Sequence, residues 1–78
     1  MVNCISILGS TGSIGRQSLD VVRMHPQIKV GALTAGSSVE RMAEQCREFR
    51  PRLAVMATEE SAKMLADSIR DLPTQVLW

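Results

Sequence analysis

Residues 5–15 read ISILGSTGSIG, and within that stretch the pattern changes from strand to turn to helix. The apolar, β-branched run at 4–8 (CISIL) predicts a short strand of the kind covered on both faces in a parallel sheet. Glycines follow at 9, 12 and 15, spaced G-x-x-G-x-x-G. From Ser13 to Met24 the apolar residues Ile14, Leu19, Val21 and Val22 supply a helical stripe. His25-Pro26 ends that helix, because the residue before a proline is pushed out of the helical region.

The same alternation continues outward. Residues 28–35 (IKVGALTA) predict a second strand, and Gly36-Ser37-Ser38 a turn into a second helix carrying Val39, Met42, Ala43, Cys46 and Phe49 on one face. Ser37 and Glu40 have the spacing of a capping box. Pro51 stops this helix and LAVM at 53–56 predicts a third strand. Thr58 is placed to cap a third helix with the stripe Ala62, Leu65, Ala66, Ile69 and Leu72, closed by Pro73. Val76-Leu77-Trp78 begins a fourth strand. Strands alternating with helices of about a dozen residues imply right-handed βαβ units. The expected fold is therefore α/β, a Rossmann-like doubly wound parallel sheet. Its first βαβαβα half is present here and is truncated in strand four, with an unfinished edge and an uncovered helix face. Residues 1–78 are expected to be the N-terminal part of such a domain, the catalytic and C-terminal domains being absent.

In this setting the three glycines have separate tasks. Gly9 lets the strand turn sharply, Gly12 removes the Cβ that would hold a diphosphate away from the backbone, and Gly15 lets the helix pack close to the strand. The first-turn amides around Gly12–Ile14 lack intrahelical partners and carry the positive end of the helix dipole, which suits an anion. Thr11 and Ser13 add hydroxyl donors. Directly after a strand and directly before a helix, this pattern points to the diphosphate of a nicotinamide dinucleotide. A Walker-type site is excluded, because no Gly-Lys-Ser/Thr follows. At the end of strand two, where an Asp or Glu would bind the ribose hydroxyls of NAD, the chain has Thr34-Ala35-Gly36-Ser37-Ser38. With no carboxylate to repel a 2′-phosphate, the amides and hydroxyls of Gly36, Ser37 and Ser38 favour NADPH. Arg41, one turn into the helix, is a source of positive charge. Helix capping by the serines, and a solvated arginine beside Glu40 and Glu44, are the alternative readings of these residues.

Composition narrows the function classes. Of 78 residues 45% are apolar and 22% charged, with a net charge of +1, which is far from the composition of disordered chains. No excess of positive charge points to nucleic acid or to a membrane surface. No apolar run approaches the ~20 residues that span a bilayer, and a strand begins at once with no leader pattern, so a cytoplasmic protein is expected. Cys4 and Cys46 are too few for a disulfide scaffold and read as small buried hydrophobes. His25 reads as an exposed helix end, the arginines of 47–52 as a solvated helix terminus, and Met42, Met56 and Met64 as core or rim packing. No nucleophile–base pair, general acid or metal-ligand spacing occurs, so no catalytic residue and no metal ligand is assigned.

The stretches ILGSTGSIGRQSLDVVRMHP and VGALTAGSSVERMAEQCREFRPRLAVM closely resemble the N-terminal NADPH-binding domain of the 1-deoxy-D-xylulose 5-phosphate reductoisomerase family. The combination of GSTGSIG with LDVV carries most of the specificity. The resemblance implies an enzyme that rearranges 1-deoxy-D-xylulose 5-phosphate and reduces the product to 2-C-methyl-D-erythritol 4-phosphate. It implies NADPH, a divalent metal (Mg or Mn) bound outside this chain, a homodimer at full length, and a place in the non-mevalonate isoprenoid pathway. The family's cofactor contacts map onto Thr11, Gly12, Ser13 and Ile14 and onto Gly36, Ser37 and Ser38. Many members have Lys-Asn or Arg-Asn where this chain has Ser37-Ser38. Two other readings stand beside it: the NAD(P)-binding module of another dehydrogenase, such as a semialdehyde dehydrogenase, and a non-catalytic dinucleotide-sensing domain.

Overall fold

A computed structural model describes residues 4–78. In chain order its elements are β1 (Cys4–Ile7), α1 (Ser13–Arg23), β2 (Lys29–Thr34), α2 (Val39–Phe49), β3 (Leu53–Val55), α3 (Glu59–Ser68) and β4 (Gln75–Leu77). The four strands form one sheet in the order β1-β2-β3-β4, and every neighbouring pair is parallel. This is the expected α/β, Rossmann-like alternation, with each crossover stepping to the next strand in the same direction.

Because side chains alternate along a strand, one row crosses the sheet from Ile7 through Leu33 and Ala54 to Val76. The helices bury themselves on that row. Leu19 and Val22 of α1, Met42 and Cys46 of α2, and Ala62 and Leu65 of α3 join Ile7, Val30, Leu33 and Ala54 in a single core. All three helices thus lie on one face, as same-handed crossovers stepping one way require. The opposite row, Ser6, Ala32, Leu53 and Gln75, has no helix over it. The expectation that β1 is covered on both faces is corrected accordingly: Ile7 is buried, while Cys4 and Ser6 are exposed. The sheet face is open in addition to an uncovered helix face, for α1 leaves Ile14 and Val21 exposed. Cys4 is not a buried hydrophobe; its sulfur lies over Gly31, where an added Cβ would stand 2.9 Å away.

Three further expectations change for physical reasons. The buried stripe of α1 is Gly15, Leu19 and Val22, whereas Ile14 and Val21 are 80% and 54% exposed. Spacings of 4 and 3 select that stripe once the glycine is counted as a packing residue. The Ser37–Glu40 capping box does not form, since Ser38 is the N-cap residue of α2 and makes no side-chain cap bond. Helix α3 begins as expected, with Thr58 Oγ1 accepting from the Ser61 amide at 3.1 Å, but it ends at Ser68, before Pro73. Ile69 remains in the core from the C-cap position and Leu72 packs from beyond the helix, while Ala66 is exposed. Met42 and Met56 are core residues and Met64 is exposed.

Arginines tie the helical layer together. Arg23 of α1 pairs with Asp20 and, through two nitrogens, with Glu48 of α2, and its guanidinium lies 5.1 Å from the Phe49 ring centroid. Arg47 binds both carboxylate oxygens of Asp71, at 2.9 and 3.1 Å, and the Ser68 carbonyl at 2.8 Å, so it is a bridge rather than a solvated terminus. The guanidinium hydrogen bonds hold the Glu48 and Asp71 carboxyls below their ordinary pKa values. Carboxyls depressed in the folded state contribute stability that is complete above the ordinary carboxylate range and lost as the pH falls through their folded values.

The thermal stability of the full-length protein is therefore expected to fall gradually below about pH 4. Arg23→Met should remove part of that acid dependence while costing at most about 1 kcal/mol near neutrality, since the pair is exposed. An acid dependence identical with and without Arg23 contradicts the assignment. Gly15→Ala should cost about 3 kcal/mol, read from denaturant unfolding, because the helix must move away from the turn; an unchanged midpoint contradicts that close packing.

Candidate functional site

The turn from β1 into α1 is held from several sides. Gly9 adopts φ +69°, which a side chain disfavours, and its carbonyl accepts from the Gly12 amide at 3.0 Å. The Gly9 amide donates to Thr34 Oγ1 at 3.0 Å and the Ser10 amide to the Thr34 carbonyl at 2.8 Å, fixing the turn to the end of β2. From α2, Gln45 Nε2 donates to the Ser10 carbonyl at 2.8 Å, and Ser10 Oγ donates to Met42 Sδ at 3.6 Å. Ser10 is fully buried by these contacts.

The three glycines of this turn separate by what each permits. At Gly9 the backbone conformation explains the residue. At Gly15 packing explains it, since a Cβ would stand 2.2 Å from the Gly9 carbonyl oxygen and 2.6 Å from Ser10 Cα. At Gly12 neither does. Its φ of −79° and ψ of 176° are open to any residue, and an added Cβ would meet only the Gly9 oxygen at 3.4 Å, an ordinary contact. A Cβ at Gly12 would instead occupy the space in front of the helix, where an anion approaches the amides. Gly36, in the second turn, is similar: nothing lies within 4 Å of its added Cβ.

These turns lie at the same edge of the sheet, because β1 and β2 are adjacent and parallel. Both open helices whose N-cap residues, Gly12 and Ser38, make no side-chain cap bond, in contrast to α3. The amides of Ser13 and Ile14 are thus left for an external acceptor. Ser37 and Ser38 are exposed, and Ser38 makes no side-chain cap bond. Thr11, in the first turn, is half-buried. Thr11, Gly12, Ser13 and Ile14 are brought together at one helix start, and Gly36, Ser37 and Ser38 at the next; Ile14 contributes its amide, its side chain pointing to solvent.

Arg41 links the two groups. It lines a groove of about 530 Å³ between α1 and α2 with Ser13, Arg16 and Gln45, and also lines a groove of about 480 Å³ with Ser37 and Ser38. Neither Arg16 nor Arg41 makes an ion pair among the described residues. Sequence reading missed two residues here. Arg16 follows the last glycine, on the turn of helix that faces the groove. Gln45 is a polar residue inside the apolar stripe of α2, and that misplacement is a signal in itself. It is 8% exposed, and its Oε1 is buried without a partner, an arrangement costing about 1–3 kcal/mol.

This geometry can hold an anionic, phosphate-bearing group. Burial raises the Cys46 thiol to about 11, which removes it as a nucleophile near neutrality. Among the described residues no cluster of His, Cys, Asp and Glu is arranged to hold a metal ion, and no helix is long and apolar enough to cross a membrane.

The family pattern described as 1-deoxy-D-xylulose 5-phosphate reductoisomerase matches residues 5–78. The chain is 54% identical over 80 residues to the reductoisomerase of Nitrosospira multiformis and 50% identical over 78 residues to that of Moorella thermoacetica, covering 99% of itself and 20% of each relative. It therefore spans about a fifth of the length of the curated relatives it matches. Among solved structures it is similar to the Zymomonas mobilis reductoisomerase in complex with NADPH, with a TM-score of 0.91 and 26% identity over 99% of this chain and 21% of that one. It is also similar to a reductoisomerase in complex with NADPH, fosmidomycin and magnesium, with a TM-score of 0.90 and 32% identity over 97% of this chain and 19% of that one. Matched through both turns and all four strands, the chain belongs to the 1-deoxy-D-xylulose 5-phosphate reductoisomerase family.

Proposed function

We infer that residues 1–78 form the amino-terminal part of an NADPH-binding domain, and that the diphosphate of the dinucleotide rests on Thr11, Gly12, Ser13 and Ile14. The observation that carries this reading is Gly12: the fold tolerates a Cβ there, and an approaching diphosphate does not. The free amides of α1 and the dipole behind them are suited to its charge. Gly36, Ser37 and Ser38 are assigned to the adenosine ribose and its 2′-phosphate, with Arg41, and Arg16 across the groove, supplying positive charge. The end of β2 carries no carboxylate, which favours NADPH over NADH, while Glu40 and Glu60 line the same groove as Ser37, Ser38 and Arg41.

In the full-length protein this site serves the conversion of 1-deoxy-D-xylulose 5-phosphate to 2-C-methyl-D-erythritol 4-phosphate in the non-mevalonate isoprenoid pathway. NADPH, when bound, supplies the hydride for the reductive step. This chain's residues bind and orient the dinucleotide and do nothing to the sugar phosphate. The divalent metal, the substrate ligands and the catalytic residues are assigned to the greater part of the relatives' length that this chain does not span. A homodimeric, cytoplasmic enzyme belongs to the same proposal and rests on the family resemblance.

Titration of the full-length protein should show tighter binding of NADPH than of NADH; equal affinities, or tighter NADH, defeat the NADPH assignment. Arg41→Met should weaken NADPH about tenfold, equivalent to ~1.4 kcal/mol, and leave NADH within about twofold; equal losses for both remove Arg41 from the phosphate site. Gly12→Val should abolish dinucleotide binding with an unchanged circular dichroism spectrum. Retained affinity in that variant shows the turn to be structural only.

A further inference from the structure

The residue that the dinucleotide reading leaves unexplained is Gln45. It sits on the buried face of α2 between Met42 and Cys46, where the helix otherwise presents apolar groups to the core. Its Nε2 donates to the Ser10 carbonyl at 2.8 Å, which fixes the amide orientation, because the flipped amide would set oxygen against oxygen. With that orientation fixed, Oε1 is buried and has no partner among the described residues. The Gln45 donor satisfies the buried Ser10 carbonyl, which a methionine of similar length would leave unpaired; what packing does not explain is its own Oε1.

What Gln45 does achieve is a connection. Ser10 lies within the glycine turn, one residue after Gly9 and two before Gly12. Gln45 lies on the helix whose start carries Ser37, Ser38 and Arg41. The same side chain lines the groove shared by Ser13, Arg16 and Arg41. Its hydrogen bond therefore sets the distance between the diphosphate turn and the helix that presents the 2′-phosphate residues. We propose that Gln45 is a positioning residue for the dinucleotide, holding the Ser10 carbonyl so that the two halves of the cofactor site keep a fixed spacing. The proposal rests on the NADPH reading above.

The test uses full-length enzyme carrying Gln45→Met or Gln45→Glu, the latter keeping the shape while losing the donor when ionised. Both should raise the dissociation constant and KM for NADPH about tenfold. At saturating NADPH, kcat and the KM for the sugar phosphate should stay within about twofold of the unsubstituted enzyme. Gln45→Met, which leaves the Ser10 carbonyl unpaired, should melt lower, but its loss of NADPH affinity should persist well below the transition, where the variant is fully folded, a result that a merely structural residue would not give. Amide hydrogen exchange should quicken at residues 9–12 and stay unchanged in α3 and β4. Unchanged NADPH affinity in both variants overturns the proposal, and so does a loss of affinity that only parallels a fall in melting temperature. If the unsubstituted enzyme itself fails to bind NADPH, the dinucleotide reading falls first, whatever the variants do.

Discussion

The contact between Gly15 and the Gly9 carbonyl governs everything else at this edge of the sheet. A Cβ on residue 15 would stand 2.2 Å from that oxygen, so the start of α1 lies on the end of β1 with no side chain between them. This closeness aims the free amides of the helix at the space above the strand, instead of displacing them sideways. It also brings Ser10 into the core, where Thr34 of β2 and Met42 and Gln45 of α2 can reach it. One missing methyl group thus sets the angle of a helix, the burial of a turn and the direction of a dipole.

The one-sided core follows from the winding. Each crossover steps one strand further in the same direction, so all three helices share one face and one apolar cluster. The opposite face mixes Ser6, Ala32 and Gln75 with Leu53, Val55 and Leu77. Small chains bury a limited share of their surface, and here much of what is buried depends on Leu33, Met42 and Leu65, none of which reaches solvent. The candidate site sits at the rim of this core and takes its rigidity from it. Met42 packs within the core and accepts the Ser10 hydroxyl, so the same helix that closes the core also steadies the turn.

Residue patterns locate all seven elements near their observed positions, because proline, glycine and the apolar stripes mark local geometry directly. They do not fix the faces of β1. An apolar run of four or five residues cannot say whether one face or two are covered, and Cys4 looks the same in either case. The apolar residues of α1 alone do not mark its buried stripe, because Gly15 packs through its lack of a side chain, which no hydrophobicity scale records. The Ser37–Glu40 box failed because the helix starts one residue later than that spacing assumes. The positions at the glycine turn could be named in advance, since strand, turn and helix are contiguous there. Arg16 and Gln45 could not, because their meaning depends on α1 and α2 lying side by side.

Where the chain departs from the locally favourable choice, the departures cluster. Glycine in place of a residue with a side chain raises the entropy lost on folding, and Gly12 and Gly36 bear that cost with no backbone or packing reason. Ser38 forgoes the side-chain cap at the start of α2, at about 1 kcal/mol, and Gly12 offers none at the start of α1, while α3 is capped by Thr58. Gln45 leaves a buried acceptor unmatched. Each of these lies around the ends of β1 and β2, and natural sequences tend to break local rules where function requires it. A structural explanation would need a separate cause for each departure. A phosphate-bearing dinucleotide accounts for the bare glycines and the open amides together, and gives the Gln45 bridge something to hold in place.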